Sequence, residues 1–259
     1  MQTSTTPTAS KSEPSASGRM AIFDVVRGFS VISMVLFHLC YDLRYLYGYN
    51  LAFFQPPFQD IWRCSISWTF LFIAGCMCTF SRNGLKRALR YLGVALAVYL
   101  VTTIAAVDTP ISFGIIFCMG GSTLVEYLLQ RLGCSPAGIV AACVLFACFL
   151  FLQGVPHGYV GIGSLRCALP ASWYATPYLS WLGLPGPNFA SGDYYPLIPY
   201  TFMFLVGTSV AHYWRAHGYP SWMAHVTCKP LEAIGKLALP IYVVHQPLLL
   251  AVLQLIRPL

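Results

Sequence analysis

Long apolar runs separated by short polar breaks set the plan of this chain. Runs of the roughly 17 to 25 residues needed to cross a hydrocarbon core of about 30 Å as helix fall near 22–45, 61–80, 89–107, 111–130, 136–153, 197–214 and 236–256. The pattern predicts an all-α fold, a polytopic transmembrane helical bundle of about seven spans. Ala171 to Leu184 is apolar and aromatic but is interrupted by Pro170, Pro177 and Pro185, so it is read as a short re-entrant or interfacial segment. Residues 1–18 are rich in Ser, Thr, Pro and Ala and are read as a disordered N-terminal tail. No later linker is long enough for a second soluble domain, so 19–259 is read as one transmembrane domain.

The polar positions inside the first run are the most informative. Arg27 and His38 are eleven residues apart, and a helical step of that length returns to within about 20° of its starting direction after a rise of roughly 16 Å. Asp24 lies one turn before Arg27 and Asp42 one turn after His38, which gives one polar stripe along an apolar helix. Ionisable groups at membrane depth cost about 2.5–3.5 kcal/mol each on insertion scales. Four aligned ones are therefore expected to face a protein interior or a water-filled cavity.

Composition agrees: 57% of residues are hydrophobic, 9% are charged and mean hydropathy is +0.66, whereas a soluble domain carries about 25% charged residues. Arg82, Lys86, Arg87, Arg90, Arg131, Arg215, Lys229 and Lys236 fall in alternate breaks, with Lys11 and Arg19 in the tail. The positive-inside rule makes those segments cytoplasmic, with the N-terminus inside the cell and the C-terminus outside. The net charge of +7 is then explained by topology and anionic lipid, and no nucleic-acid partner is expected. The ten cysteines lie mostly in apolar spans and pack there as small hydrophobes. Cys64 and Cys167 share the predicted outer side and are the one pair open to bridging. Cys76-x-Cys78 is too tight for zinc spacing, and His212, His217 and His225 read as solvated loop histidines, so no metal is expected.

Three further segments carry candidate chemistry. Ser191 to Tyr200 brings Asp193, Tyr194, Tyr195 and Tyr200 to the outer mouth of the sixth span, groups suited either to holding a hydroxylated acceptor or to an aromatic belt with a capping Asp. Ile241-Tyr242-Val243-Val244-His245-Gln246-Pro247 sets a histidine beside a helix-kinking proline within the last span. Ser112 to Gly121 is read as a helix-packing segment through its glycines.

Taken in order, Arg27-Gly28, Met34, His38 and Asp42-Leu43, Phe70-Leu71-Phe72-Ile73-Ala74-Gly75, Phe113-Gly114-Ile115, Asp193 to Pro199 and Ile241 to Pro247 resemble the bacterial branch of the heparan-alpha-glucosaminide N-acetyltransferase catalytic-domain family. The Arg-x10-His element also resembles acyltransferase family 3. Where several relatives are expected to carry a histidine this chain has Phe117, which leaves His38 and His245 as the candidates for proton transfer. The resemblance implies an integral enzyme of the cell membrane that moves an acyl group, acetyl above all, from cytosolic acyl-CoA to a hydroxyl or amine of an extracytoplasmic sugar or glycolipid. Implied catalytic residues are His38, Asp42, Arg27 and His245, with Asp42 orienting the His38 imidazole. Arg27, Arg82, Lys86, Arg87 and Arg90 are the implied donor-binding cations. Asp193, Tyr194, Tyr195, Tyr200 and Gln246 are the implied acceptor-binding set. The competing reading is a transporter or flippase using the same buried polar groups. No Gly-x-Ser-x-Gly elbow or His-Glu-x-x-His motif supports a hydrolase.

Overall fold

The computed structural model describes residues 20–106 and 108–256; the tail expected at 1–18 lies outside them. Helix α1 (Ala21–Tyr41) continues into a π-helical turn, Asp42–Leu46, and is followed by α2 (Phe58–Cys78), α3 (Gly84–Ala105), α4 (Ile115–Arg131) and α5 (Ile139–Phe151). A two-stranded antiparallel hairpin, β1 (Tyr159–Ile162) and β2 (Leu165–Ala168), precedes α6 (Leu197–His217), α7 (Trp222–His225), α8 (Lys229–Lys236) and α9 (Ala238–Ile256). Seven long helices thus stand where seven spans are expected. Ala21–Leu46, Phe58–Cys78, Gly84–Ala105, Ile139–His157 and Ala238–Ile256 are long and apolar enough to cross a membrane. The other two long helices are the 17-residue α4, which buries Ser122, Thr123 and Glu126, and α6, which buries Thr201, Thr208 and Ser209.

The core is built where glycines let backbones touch. α6 packs on α2, and a Cβ on Gly75 would strike the Phe204 carbonyl while one on Gly207 would strike that of Phe72. In a bundle surrounded by lipid, such close approach replaces the hydrophobic drive as the source of packing energy. α8 packs along α1 in the same way through Gly28 and Gly235. By contrast α3 packs on α4, and α9 on α1, with no helix-packing interface between α3 and α9.

Ala171 to Leu184, the segment read as re-entrant or interfacial, forms two 3-10 turns, Ala171–Tyr174 and Pro177–Leu179, because its prolines remove the donors a longer helix needs. One expectation is revised. The break between the sixth and seventh spans is not plain loop. It contains α8, whose apolar face lies on α1. The ten cysteines are free, Cys64 and Cys167 among them.

Candidate active site

A cavity of about 1700 Å³ runs the length of the bundle. Its wall begins with Met20, Arg27, Arg87 and Lys236 at one end and reaches Gln59, Thr109 and Gly192 at the other, passing His38 and His245 between them. The stripe expected on α1 therefore faces an internal space over the stretch from Arg27 to His38. α3 contributes Arg87, Arg90, Tyr91, Val94, Val98 and Val101, whose spacing of three and four residues is that of one helical face.

At the first end Arg27 is part-buried and pairs with Asp24 at 3.2 Å, and its guanidinium also donates to the Gly235 carbonyl at 3.3 Å. Arg87 donates to the carbonyls of Met77 at 2.7 Å and Ala74 at 3.3 Å, closing the end of α2. Together with Arg90 and Lys236 these groups line the cavity, a cationic mouth suited to phosphate oxygens. Arg82 and Lys86 are not part of it. Arg82 precedes α3, and Lys86 sits about 100° around the helix from Arg87, exposed to the outside. Lys236 was not foreseen, since it becomes a wall residue only through the docking of α8 on α1.

Further along, the rings of His38 and His245 meet with centroids 4.9 Å apart and planes at 61°. His245 is 6% exposed, and its Nδ1 donates to the Tyr242 carbonyl at 2.7 Å. A carbonyl can only accept, so Nδ1 carries the hydrogen and Nε2 of the neutral ring is a bare lone pair. That Nε2 is buried with no hydrogen-bond partner. His38 lines the cavity, and none of the hydrogen bonds seen among the described residues engages its ring.

Among the described residues the hydrogen bonds of the Asp42 carboxylate run to Gln246, and none joins it to the His38 ring it was expected to orient. Fully buried at the start of the π turn, Asp42 accepts from the Gln246 amide nitrogen through both carboxylate oxygens, at 2.9 Å and 3.0 Å, a bifurcated contact. The Asp42 amide still donates to the His38 carbonyl in the regular helical ladder, and the wider turn follows it, the Tyr47 amide reaching the Asp42 carbonyl at 3.0 Å; π turns of this kind recur at functional sites. Gln246 lines the cavity with its Oε1 buried and unpartnered.

The segment Ser191 to Tyr195 is stitched to the entry of α4. Ser191 Oγ accepts from the Ser112 amide at 2.9 Å and donates to its carbonyl at 2.7 Å, and the Tyr195 amide donates to the Phe113 carbonyl at 2.9 Å. These bonds hold Phe113 at φ 56°, a left-handed conformation that side chains with a Cβ disfavour. Asp193 Oδ2 accepts from the first amide of α4, Ile115, at 3.0 Å, and from the Tyr242 hydroxyl at 3.3 Å. Asp193 is therefore the capping Asp of the two readings, and through Tyr242 it is two steps from His245. Desolvation holds its carboxyl above the ordinary range, against the pull of the Ile115 amide and the Tyr242 hydroxyl. Tyr194 donates to the Ser180 carbonyl at 2.6 Å, while Tyr195 and Tyr200 stack edge to face at 4.8 Å; all three line the cavity.

A second polar cluster went unnoticed in the sequence. Glu126 of α4, fully buried, accepts from Ser135 at 2.6 Å and Gln130 at 2.9 Å and lies 3.8 Å from His212 Nε2. His212 is thus a residue of α6 facing α4, not a loop histidine. One glutamate in an apolar run was the only signal. Among the described residues there is no cluster of His, Cys, Asp and Glu fit to hold a metal.

The family model described as heparan-alpha-glucosaminide N-acetyltransferase, catalytic, matches residues 19–247. No curated protein and no solved structure matches the chain.

Proposed function

Since the chain belongs to the heparan-alpha-glucosaminide N-acetyltransferase catalytic family and is a membrane acetyltransferase, we propose that it moves an acetyl group from cytosolic acetyl-CoA to a hydroxyl or amine of an extracytoplasmic saccharide across the cell membrane, with its N-terminus inside. The observation that carries this reading is the single cavity with a cationic mouth at Arg27 and a paired His38 and His245 further along it. Arg27, Arg87, Arg90 and Lys236 hold the diphosphate of the donor. The thioester then lies roughly 16 Å along α1, the rise from Arg27 to His38.

There the acceptor oxygen or nitrogen attacks the thioester carbonyl while an imidazole takes its proton. The tetrahedral carbon collapses, the carbon–sulfur bond breaks, and the departing thiolate accepts the proton from the imidazole. His38, open to the cavity, is the base that meets the acceptor. His245 is held against it by the Tyr242 carbonyl. Asp42 acts through Gln246 as a positioning residue, and Gln246 Oε1 receives a hydroxyl or amine hydrogen of the acceptor. Tyr194, Tyr195 and Tyr200 form the acceptor side of the wall.

The test is thiol release from acetyl-CoA by the purified chain in nanodiscs, with a panel of sugar acceptors and with His38→Ala and Arg27→Ala beside the parent. Release abolished in both folded variants supports the assignment. A parent that neither binds nor turns over acetyl-CoA with any acceptor removes acyl transfer and makes transport through the same cavity the reading to pursue.

A further inference from the structure

The cavity is not walled on every side. α3 and α9 each turn a helical face to it, yet α3 packs on α4 and α9 on α1, and among the described residues no packing interface joins α3 to α9. Two residues mark the edges of the resulting slot. Val101 of α3 and Val243 of α9 both line the cavity, and both are open to the outside, 59% and 40% exposed. Val101 is seventeen residues into α3, as His38 is seventeen residues into α1, about 25 Å along the helix in each case. Tyr242 and His245, one residue before and two residues after Val243 on α9, line the same cavity, the latter in ring contact with His38. The slot therefore opens from the histidine pair sideways, through helices whose outer faces carry Leu96, Leu100, Ile104, Val244 and Leu248 exposed as a lipid-facing surface would be.

We propose that this slot admits the hydrocarbon chain of a lipid-anchored saccharide, so that the acceptor enters laterally from the bilayer with its sugar at His38 and His245 and its chain left between α3 and α9. The inference rests on the acetyl-transfer reading and deepens it. An acetyl donor brings no long chain of its own, so a hydrocarbon in the slot belongs to the acceptor. Apolar lining at Val94, Val98 and Val101 of α3 and Leu239, Val243 and Leu250 of α9 suits a flexible chain, while Gln246 and the histidines supply hydrogen-bonding groups to the same cavity. A helix of a second copy seated in the slot would instead bury both valines and close the wall.

Two probes separate these cases: hexadecyl and methyl β-D-glucosaminide, assayed with acetyl-CoA and the nanodisc-embedded chain. The parent should acetylate the hexadecyl glycoside with a kcat/KM at least about 10-fold above that for the methyl glycoside. Val101→Trp with Val243→Trp, which fills the slot from its edges, should lower that preference by about 10-fold. Independently of turnover, benzoylphenylalanine at Val101 should cross-link radiolabelled hexadecyl glucosaminide more than the same probe at Leu100, which is exposed but does not line the cavity. A parent that acetylates the methyl glycoside equally well, a preference unmoved by the tryptophans, or an adduct of two protein chains at Val101 overturns the lateral route and leaves acetyl transfer standing. Absence of thiol release with either glycoside removes both.

Discussion

Exchanging the two ends of the Asp42–Gln246 pair tests whether α9 is positioned by α1. Asp42 is wholly buried, and both its oxygens accept from the Gln246 amide nitrogen. In Asp42→Asn one of the two acceptors becomes a donor facing a donor. The loss is one hydrogen bond to a charged group, about 1.5–3 kcal/mol, unless the Gln246 amide flips and turns its nitrogen, not its oxygen, toward the cavity. Either outcome alters what the acceptor meets, so kcat should fall by about 10- to 150-fold at 1.36 kcal/mol per decade. The same energy lost from the fold lowers the unfolding midpoint by about 3–12 °C at 2–4 °C per kcal/mol. Asp42→Asn combined with Gln246→Glu places the amide on α1 and the carboxylate on α9, so the contact of one amide nitrogen with two carboxylate oxygens can re-form. The assay is acetyl transfer with kcat and KM resolved, beside thermal unfolding in detergent, for the parent, each single variant and the pair. Recovery of the unfolding midpoint in the pair shows the contact restored, and a kcat that stays low assigns the remaining loss to the negative charge moved onto the cavity-lining position 246. If Asp42→Asn leaves both midpoint and kcat at parent values, the positioning role is refuted.

Three further outcomes follow from geometry. Arg90→Ala and Lys236→Ala should each raise the KM for acetyl-CoA by about 10-fold through loss of a charge-assisted contact, whereas Arg82→Ala should leave it unchanged; steady-state titration of the donor decides. Gly75→Ala drives a methyl into the Phe204 carbonyl and should cost about 1–3 kcal/mol, read as a lower unfolding midpoint and not as a changed KM. Asp193 holds its proton more tightly folded than unfolded, so its contribution to stability falls as pH rises from about 3.9 through the folded value. Asp193→Asn, which keeps an acceptor for the Ile115 amide, should flatten that part of the stability profile, and parallel profiles would count against it.

The long helices were legible in the sequence because hydrocarbon demands twenty-odd apolar residues wherever backbone crosses it, and the stripe on α1 because eleven residues nearly close three turns. What lay beyond periodicity was the partnering. Spacing along α1 sets Asp42 one turn beyond His38, but its partner is Gln246 of α9, a residue 204 positions away that no periodicity within α1 announces. Lys86 and Arg87 look alike in the chain, and what separates them is the end of α2, whose Met77 and Ala74 carbonyls take the Arg87 guanidinium. The seam between Ser112 and Ser191 joins segments 79 residues apart, a pairing that neither segment encodes alone. Asp193 and the glycines near Phe113 were each singled out, yet their meaning as cap and landing site appears only in that seam.

The π turn also decides where this enzyme can change length. Between Arg27 and His38 every added or deleted residue would swing one end of α1 by about 100° relative to the other and take the guanidinium or the imidazole out of the cavity, so the interval behaves as a ruler. At Asp42–Leu46 the helix already carries its surplus residue, and a deletion there can be absorbed by tightening to an ordinary turn. Variation in the length of α1 among working versions of this chain should therefore collect beyond His38 and be absent before it.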